Sequence, residues 1–280
     1  MKKYTTLLLP LAAALLLVSC EKVIDINLNE SEPRLVVEGA VTLDNGPFYV
    51  HLTTSGDFFT GDGITPVSDA SGYISTSFGA TDSLVNMGNG VYRTSGLAAI
   101  PNSLYTLHLN YNNKLYTASD SLPPQVLIDS VNYSLSEFGN SGRPGEDDGY
   151  DVRYDFHCYF SDSPQRKNYY MLGIKVNGTA VEGRRGKYYL LSDEFFNGKQ
   201  VAYPFFGVGA YPDDTISISL SAVGKATYDY FRTLNDAIGQ GGMGSTPYNP
   251  ISNVNNNALG YFGTFTYDSK TLILKKINVK

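Results

Sequence analysis

Tyr105-Thr106-Leu107-His108-Leu109-Asn110-Tyr111, then Asn112-Asn113, then Lys114-Leu115-Tyr116-Thr117-Ala118, decides the fold class. Apolar and polar residues alternate with period two, the signature of a strand with one face buried. Asn112-Asn113 turns the chain, so the stretch predicts a β-hairpin. The same grammar recurs on both sides of it. Phe48-Tyr49-Val50-His51-Leu52-Thr53 alternates, with Phe48, Val50 and Leu52 on one face. Arg34 to Gly39, Tyr73 to Phe78, Leu84 to Met87 and Val91 to Arg93 are further strand candidates. They are separated by Asp44-Asn45-Gly46-Pro47, a glycine-rich stretch from Asp57 to Thr65, and Gly88-Asn89-Gly90. About seven strands in some ninety residues have the spacing of an immunoglobulin-like sandwich. The expected first domain is 34–122, ending before Pro123-Pro124.

Beyond that dipeptide a second, larger antiparallel β domain is expected over 126–280. Its strands read as Val126 to Leu135, Asp151 to Phe160, Tyr169 to Val176, Lys187 to Leu191, Thr215 to Ala222, Gly260 to Tyr267 and Thr271 to Ile277. Residues 227–238 break the pattern. Tyr228, Phe231, Leu234, Asn235 and Ile238 fall at helical spacing, with Gly239 as the stop, and predict one short α-helix. A loop rich in glycine and asparagine follows from Gln240 to Asn257. Composition agrees with an all-β protein: 22 tyrosines, 14 phenylalanines and no tryptophan stand among many breakers.

The N-terminus reads as an export signal. Lys2 and Lys3 precede an apolar run from Leu7 to Val18, too short to span a bilayer. Leu17-Val18-Ser19-Cys20 resembles the lipobox of bacterial lipoproteins. That resemblance implies cleavage between Ser19 and Cys20 and acylation of Cys20, each buried CH₂ of the lipid contributing roughly 0.8 kcal/mol of membrane affinity. Glu21 to Pro33 then serves as a tether (20–33 with the cysteine). Removing 1–19 takes away two lysines and no acid, leaving 19 basic against 27 acidic residues. Such a chain lacks the basic face that nucleic acid requires.

Few constellations carry chemistry. With Cys20 committed to lipid, Cys158 stands alone among aromatics on a strand, as a small buried residue and not a nucleophile. His51, His108 and His157 sit on separate strands without ligand spacing. Asp147, Asp148 and Asp151 lack the spacing of a calcium loop. Gly239, Gly241 and Gly244 spell G-x-G-x-x-G, but the helix precedes them, the reverse of a dinucleotide site. No catalytic residue, metal or cofactor is expected besides the lipid, although a carboxylate pair of the hydrolase kind is recognised only in space. The binding residues expected are Tyr228, Tyr230, Phe231, Asn253, Tyr261 and Phe262, where aromatics and asparagines gather around the long loop. Asp82-Ser83-Leu84, Asp120-Ser121-Leu122, Asp129-Ser130-Val131 and Asp214-Thr215-Ile216 resemble the O-glycosylation sequon of exported Bacteroidetes proteins, with Ser83, Ser121, Ser130 and Thr215 as acceptors.

Six stretches together resemble the DUF4249 family of Bacteroidetes lipoproteins. They are Glu21 to Ile26, Pro33 to Gly39, Asn168-Tyr169-Tyr170, Asp193 to Gly198, Tyr228-Asp229-Tyr230, and Ser252-Asn253 through Gly260-Tyr261-Phe262. Asn257 stands where the family more often has glycine. The first domain also resembles the carboxypeptidase-regulatory-like sandwich of envelope proteins. The resemblance implies an outer-membrane surface lipoprotein beside a SusC-like TonB-dependent receptor, binding a glycan or peptide. A structural or adhesive envelope protein is the alternative.

Overall fold

A computed structural model describes residues 33–44, 46–56, 64–137, 152–183, 187–239 and 248–277. Its first strands are β1 (Leu35–Thr42), β2 (Tyr49–Thr54), β3 (Thr65–Pro66), β4 (Ser71–Thr76), β5 (Thr81–Ser83), β6 (Val85–Gly88), β7 (Val91–Arg93), β8 (Leu104–Tyr111) and β9 (Lys114–Ser121). β8 and β9 form the hairpin read from the sequence, with Tyr111 opposite Lys114. Asn112 and Asn113 both take positive φ, 50° and 56°, as a two-residue hairpin turn demands.

The rest of the chain adds β10 (Ile128–Leu135), β11 (Arg153–Ser161), β12 (Tyr169–Val176), β13 (Thr179–Ala180), β14 (Tyr189–Ser192), β15 (Gln200–Gly209), β16 (Thr215–Val223), helix α1 (Lys225–Gly239) and β17 (Leu259–Ile273). The protein is all-β with one α-helix among the described residues, as its alternation and composition imply.

A ten-stranded sheet runs in the order β13-β12-β16-β17-β1-β2-β7-β6, with β14 beside β12 and β3 beside β2. A four-stranded sheet, β5-β4-β8-β9, covers one half of it, and a three-stranded sheet, β10-β11-β15, the other. Two apolar cores result. Val37, Val50 and Leu52 meet Ile74, Leu107 and Ala118 in the first. Phe156, Cys158 and Phe160 meet Leu172, Ile218 and Leu220 in the second.

β17 differs from expectation. The alternation predicts two strands, Gly260 to Tyr267 and Thr271 to Ile277; a single strand of 15 residues is present. Asp268-Ser269 supplies no turn because β17 continues while its neighbour changes. Residues 259–265 pair in parallel with β1, and residues 265–273 pair antiparallel with β16. The boundary at Pro123-Pro124 is therefore crossed from behind: Val254, Ala258 and Phe262 belong to the first core. From Pro33 onward the described chain forms one compact unit.

Candidate functional site

Helix α1 opens without a capping side chain from its own sequence neighbourhood. Gly224 precedes it and accepts the first helical hydrogen bond, from Tyr228 N–H at 3.0 Å. The free N–H groups of Ala226 and Thr227 instead donate to the Asp120 carboxylate, each at 3.3 Å, from the end of β9. Ser121 N–H, the Thr227 hydroxyl, and both Thr264 N–H and its hydroxyl complete the ring of donors. A buried anion at a helix N-terminus satisfies donors that nothing else would reach. A Cβ on Gly224 would lie 2.1 Å from an Asp120 oxygen, so only glycine lets the carboxylate in. Burial outweighs these hydrogen bonds and holds the Asp120 pKa above the ordinary carboxylate value of 3.8.

Once anchored, α1 lays aromatic side chains on β12, β14 and β17. Tyr228 meets the Tyr169 ring at 4.7 Å. Tyr230 stacks on Tyr261 at 4.7 Å, and Phe231 meets Tyr261 at 5.1 Å and Tyr188 at 4.7 Å. The Tyr261 phenol is pushed up to about 12 by burial first and then by the nearby Glu38 charge. Tyr230 moves the same way for the same leading reason. Both remain neutral phenols at physiological pH.

The structure brings Tyr230, Phe231 and Tyr261 together, packs Tyr228 on Tyr169 instead, and separates the other two expected binding residues from both. Phe262 is fully buried in the first core, facing away from the surface because β17 side chains alternate. Asn253 is consumed internally: its amide accepts from Phe262 N–H at 3.0 Å and donates to the Phe262 and Ser119 carbonyls. Asn255 does the same to Thr117, accepting its N–H at 2.8 Å and donating its own backbone N–H to the Thr117 carbonyl at 3.0 Å. Asn256 donates to Leu115 O. The asparagine run thus covers the outer edge of β9, a substitute strand built partly from amides. Asn257 has φ 61°, a left-handed backbone that asparagine tolerates and glycine prefers.

Ser83, Ser121, Ser130 and Thr215 are all exposed. The aspartate before each has a structural role. Asp82 accepts Ser95 and Gly96 N–H, Asp129 the Ser161 hydroxyl, and Asp214 the Asn177 amide, while Asp120 caps α1. Cys158 is buried, its thiol pushed up to about 12 by desolvation. His108 stacks on Tyr73 at 4.4 Å, and His157 lies edge-on to Phe206. Among the described residues no three His, Cys, Asp or Glu side chains gather to hold a metal. Ser19, Cys20, Asp147, Asp148, Asp151, Gly241 and Gly244 lie outside the described residues.

Two buried carboxylates, Asp162 and Asp193, flank Asn168. Asp162 accepts from the Tyr170 hydroxyl, the Asn168 amide at 3.0 Å and Gly198 N–H at 2.7 Å; Asp193 accepts Asn168 N–H at 2.7 Å. This network joins Asn168-Tyr169-Tyr170 to the segment from Asp193 to Gly198. It ties a loop to a strand.

Among the described residues, two clefts open elsewhere on the surface that neither carboxylate lines. One, of about 290 Å³, lies between β4, β8 and β9 beside Tyr73 and His108. The other, of about 230 Å³, lies over Gly173 and Ser219, with Lys175, Lys187 and Tyr188 around it. Sequence reasoning does not find this second cleft. Its residues come from β12, from β13 and the segment after it, from β16 and from the approach to β14, and their only local signal is the aromatic pair Tyr188-Tyr189.

The family described as a domain of unknown function, DUF4249, matches residues 21–271. The chain belongs to that family. No curated protein matches this DUF4249 chain. Among solved structures, a segment of two fibronectin type-III domains from chicken tenascin is 11% identical, covers 87% of this chain and 99% of its own, and has a TM-score of 0.21. An α-L-rhamnosidase from Dictyoglumus thermophilum is 12% identical, covers 70% of this chain and 28% of its own, and has a TM-score of 0.27. Among the described residues no helix is long and apolar enough to cross a membrane.

Proposed function

We propose that this DUF4249 protein is a lipid-anchored outer-membrane protein that serves a TonB-dependent receptor of the SusC-like type as an accessory binding component. The lipobox-like Leu17-Val18-Ser19-Cys20 supports the anchor, with Cys20 as the lipidated residue. The observation that carries the binding role is the aromatic group on α1. Tyr228 packs tilted against Tyr169 and Tyr230 stacks on Tyr261, and both stay partly exposed, so the protein holds two tyrosines in place at its surface. Rigid aromatic side chains contribute large contact area at small entropic cost, the property of binding hot spots. The exposed Ser83, Ser121, Ser130 and Thr215 are proposed acceptors for O-linked glycans.

The test is purification of the native lipoprotein from gently solubilised outer membranes. A stoichiometric TonB-dependent receptor in the eluate is the expected result, with an intact mass above that of polypeptide plus lipid. A protein that elutes alone overturns the receptor partnership and favours a free-standing scaffold. A mass equal to polypeptide plus lipid ends the glycan proposal.

A further inference from the structure

The cleft over Gly173 and Ser219 is built from a bare floor and a fixed wall. In the β12–β16 pairing Gly173 faces Ser219 and Lys175 faces Ser217, all on the side of the sheet away from the second core. Gly173 leaves that floor open: a Cβ there would lie 2.8 Å from the Ser219 hydroxyl oxygen and stand in the cleft. The wall is Tyr188, 43% exposed, and it is immobilised from behind. The Asn235 amide of α1 accepts Tyr188 N–H at 2.8 Å and donates to the Tyr188 carbonyl at 2.8 Å. The Tyr188 ring also meets Phe231 edge-on at 4.7 Å. A helix side chain that clasps both backbone groups of a half-exposed tyrosine removes the freedom that binding would otherwise have to freeze out.

The charge at this cleft is cationic. Lys175 and Lys187 both line it, and among the described residues neither ammonium has an ion-pair partner. Glu182 also lines it and has an interaction of its own. In a chain of net charge −6, two lysines against one glutamate beside a held aromatic face set a local preference against the overall sign. A volume of about 230 Å³ is below the roughly 300 Å³ at which drug-sized sites begin and suits one ring.

We propose that this cleft binds a small ring-bearing carboxylate, with the ring against Tyr188 and over Gly173 and the carboxylate between Lys175 and Lys187. An acidic sugar and an aromatic acid share this chemistry, and the test separates them. The site does not require a receptor partner, so it is measured on the isolated protein.

The experiment is ligand-observed NMR on the full-length protein in detergent micelles, titrated with glucuronate, glucose and benzoate. Glucuronate is expected to bind in the millimolar range, at least about tenfold more tightly than glucose, a preference of about 1.4 kcal/mol. Binding of benzoate as well assigns the site to ring and charge alone; its failure to bind beside glucuronate assigns it to acidic sugars. The Lys175→Gln, Lys187→Gln double variant, changed only at the surface, should erase the preference over glucose and the dependence on salt. Gly173→Val should abolish binding, and Tyr188→Phe should retain what Tyr188→Ala loses. Glucose bound as tightly as glucuronate, or a preference unchanged in the lysine variant, overturns the anion assignment. Saturable binding of none of the three at about 20 mM overturns the site, since that bound leaves less than about 2.5 kcal/mol of affinity.

Discussion

Asp120 and Gly224 are a matched pair more than one hundred residues apart, and neither is legible from its own neighbourhood. Asp120 reads as a strand end in an Asp-Ser-Leu triplet, and Gly224 as a breaker before a helix. Only the fold puts the carboxylate where a Cβ would be. Gly224→Ala should therefore destabilise the protein well beyond the roughly 1 kcal/mol usual for alanine at a helix cap. Asp120→Ala, which leaves the N–H groups of Ala226 and Thr227 without their acceptor, should cost about 3 kcal/mol. Asp120→Asn gives a finer test. The native pKa is raised by burial, so between the unfolded value near 3.8 and the native value the folded state binds more protons than the unfolded one. Stability from this group is then fully present below the unfolded pKa and is lost as pH rises through the native pKa. The stability advantage of wild type over Asp120→Asn should accordingly be larger at pH 4 than at pH 7. Urea unfolding of both proteins at the two pH values measures it, and an advantage that grows with pH would contradict the burial argument.

At the level of elements, sequence and structure part company over α1 and the loop that follows. Helical spacing locates the helix to within two residues, because periodicity is a local property. What its aromatics do is not local. Tyr228 and Phe231 both lie on the apolar stripe, yet Phe231 is buried beneath Tyr188 and Tyr261 while Tyr228 is half-exposed beside Tyr169. The asparagine run reads as a binding loop for the same reason: an amide that pairs with a strand edge and an amide that pairs with a ligand look identical in sequence. The two tyrosine and phenylalanine positions should now separate in experiment. Phe231→Ala should cost about 3–5 kcal/mol in chemical denaturation, the usual loss for a buried ring. Tyr228→Ala should leave stability within about 1 kcal/mol and reduce co-purification of the receptor. Wild-type recovery of the receptor with Tyr228→Ala would remove this helix face from the proposed interface.

Across the whole molecule, strand alternation determines the all-β class, and the period of each hairpin is visible before any partner is known. What alternation cannot reveal is which distant strand lies alongside, since β1 and β17 have equally apolar faces and no shared turn. Their parallel pairing, from Val36 opposite Leu259 to Thr42 opposite Phe265, makes the first sandwich depend on residues more than two hundred positions away. Long-range parallel pairing also brings its loop-closure cost early and its contacts late, so folding should be slow and should wait for the C-terminus. Phe262 is the sharpest measure of this dependence: it is wholly buried among Val50, Leu52 and their neighbours, on a strand that also carries the β16 pairing. Truncation after residue 250 removes Val254, Ala258 and Phe262 from the first core and uncovers the edges of β1 and β9 together. The truncated protein should lose protection against amide exchange in β1, β2, β8 and β9, although every residue of those strands is still present. Retained exchange protection there would mean that the first sandwich closes without β17, and that the last strand stabilises only the half it shares with β16.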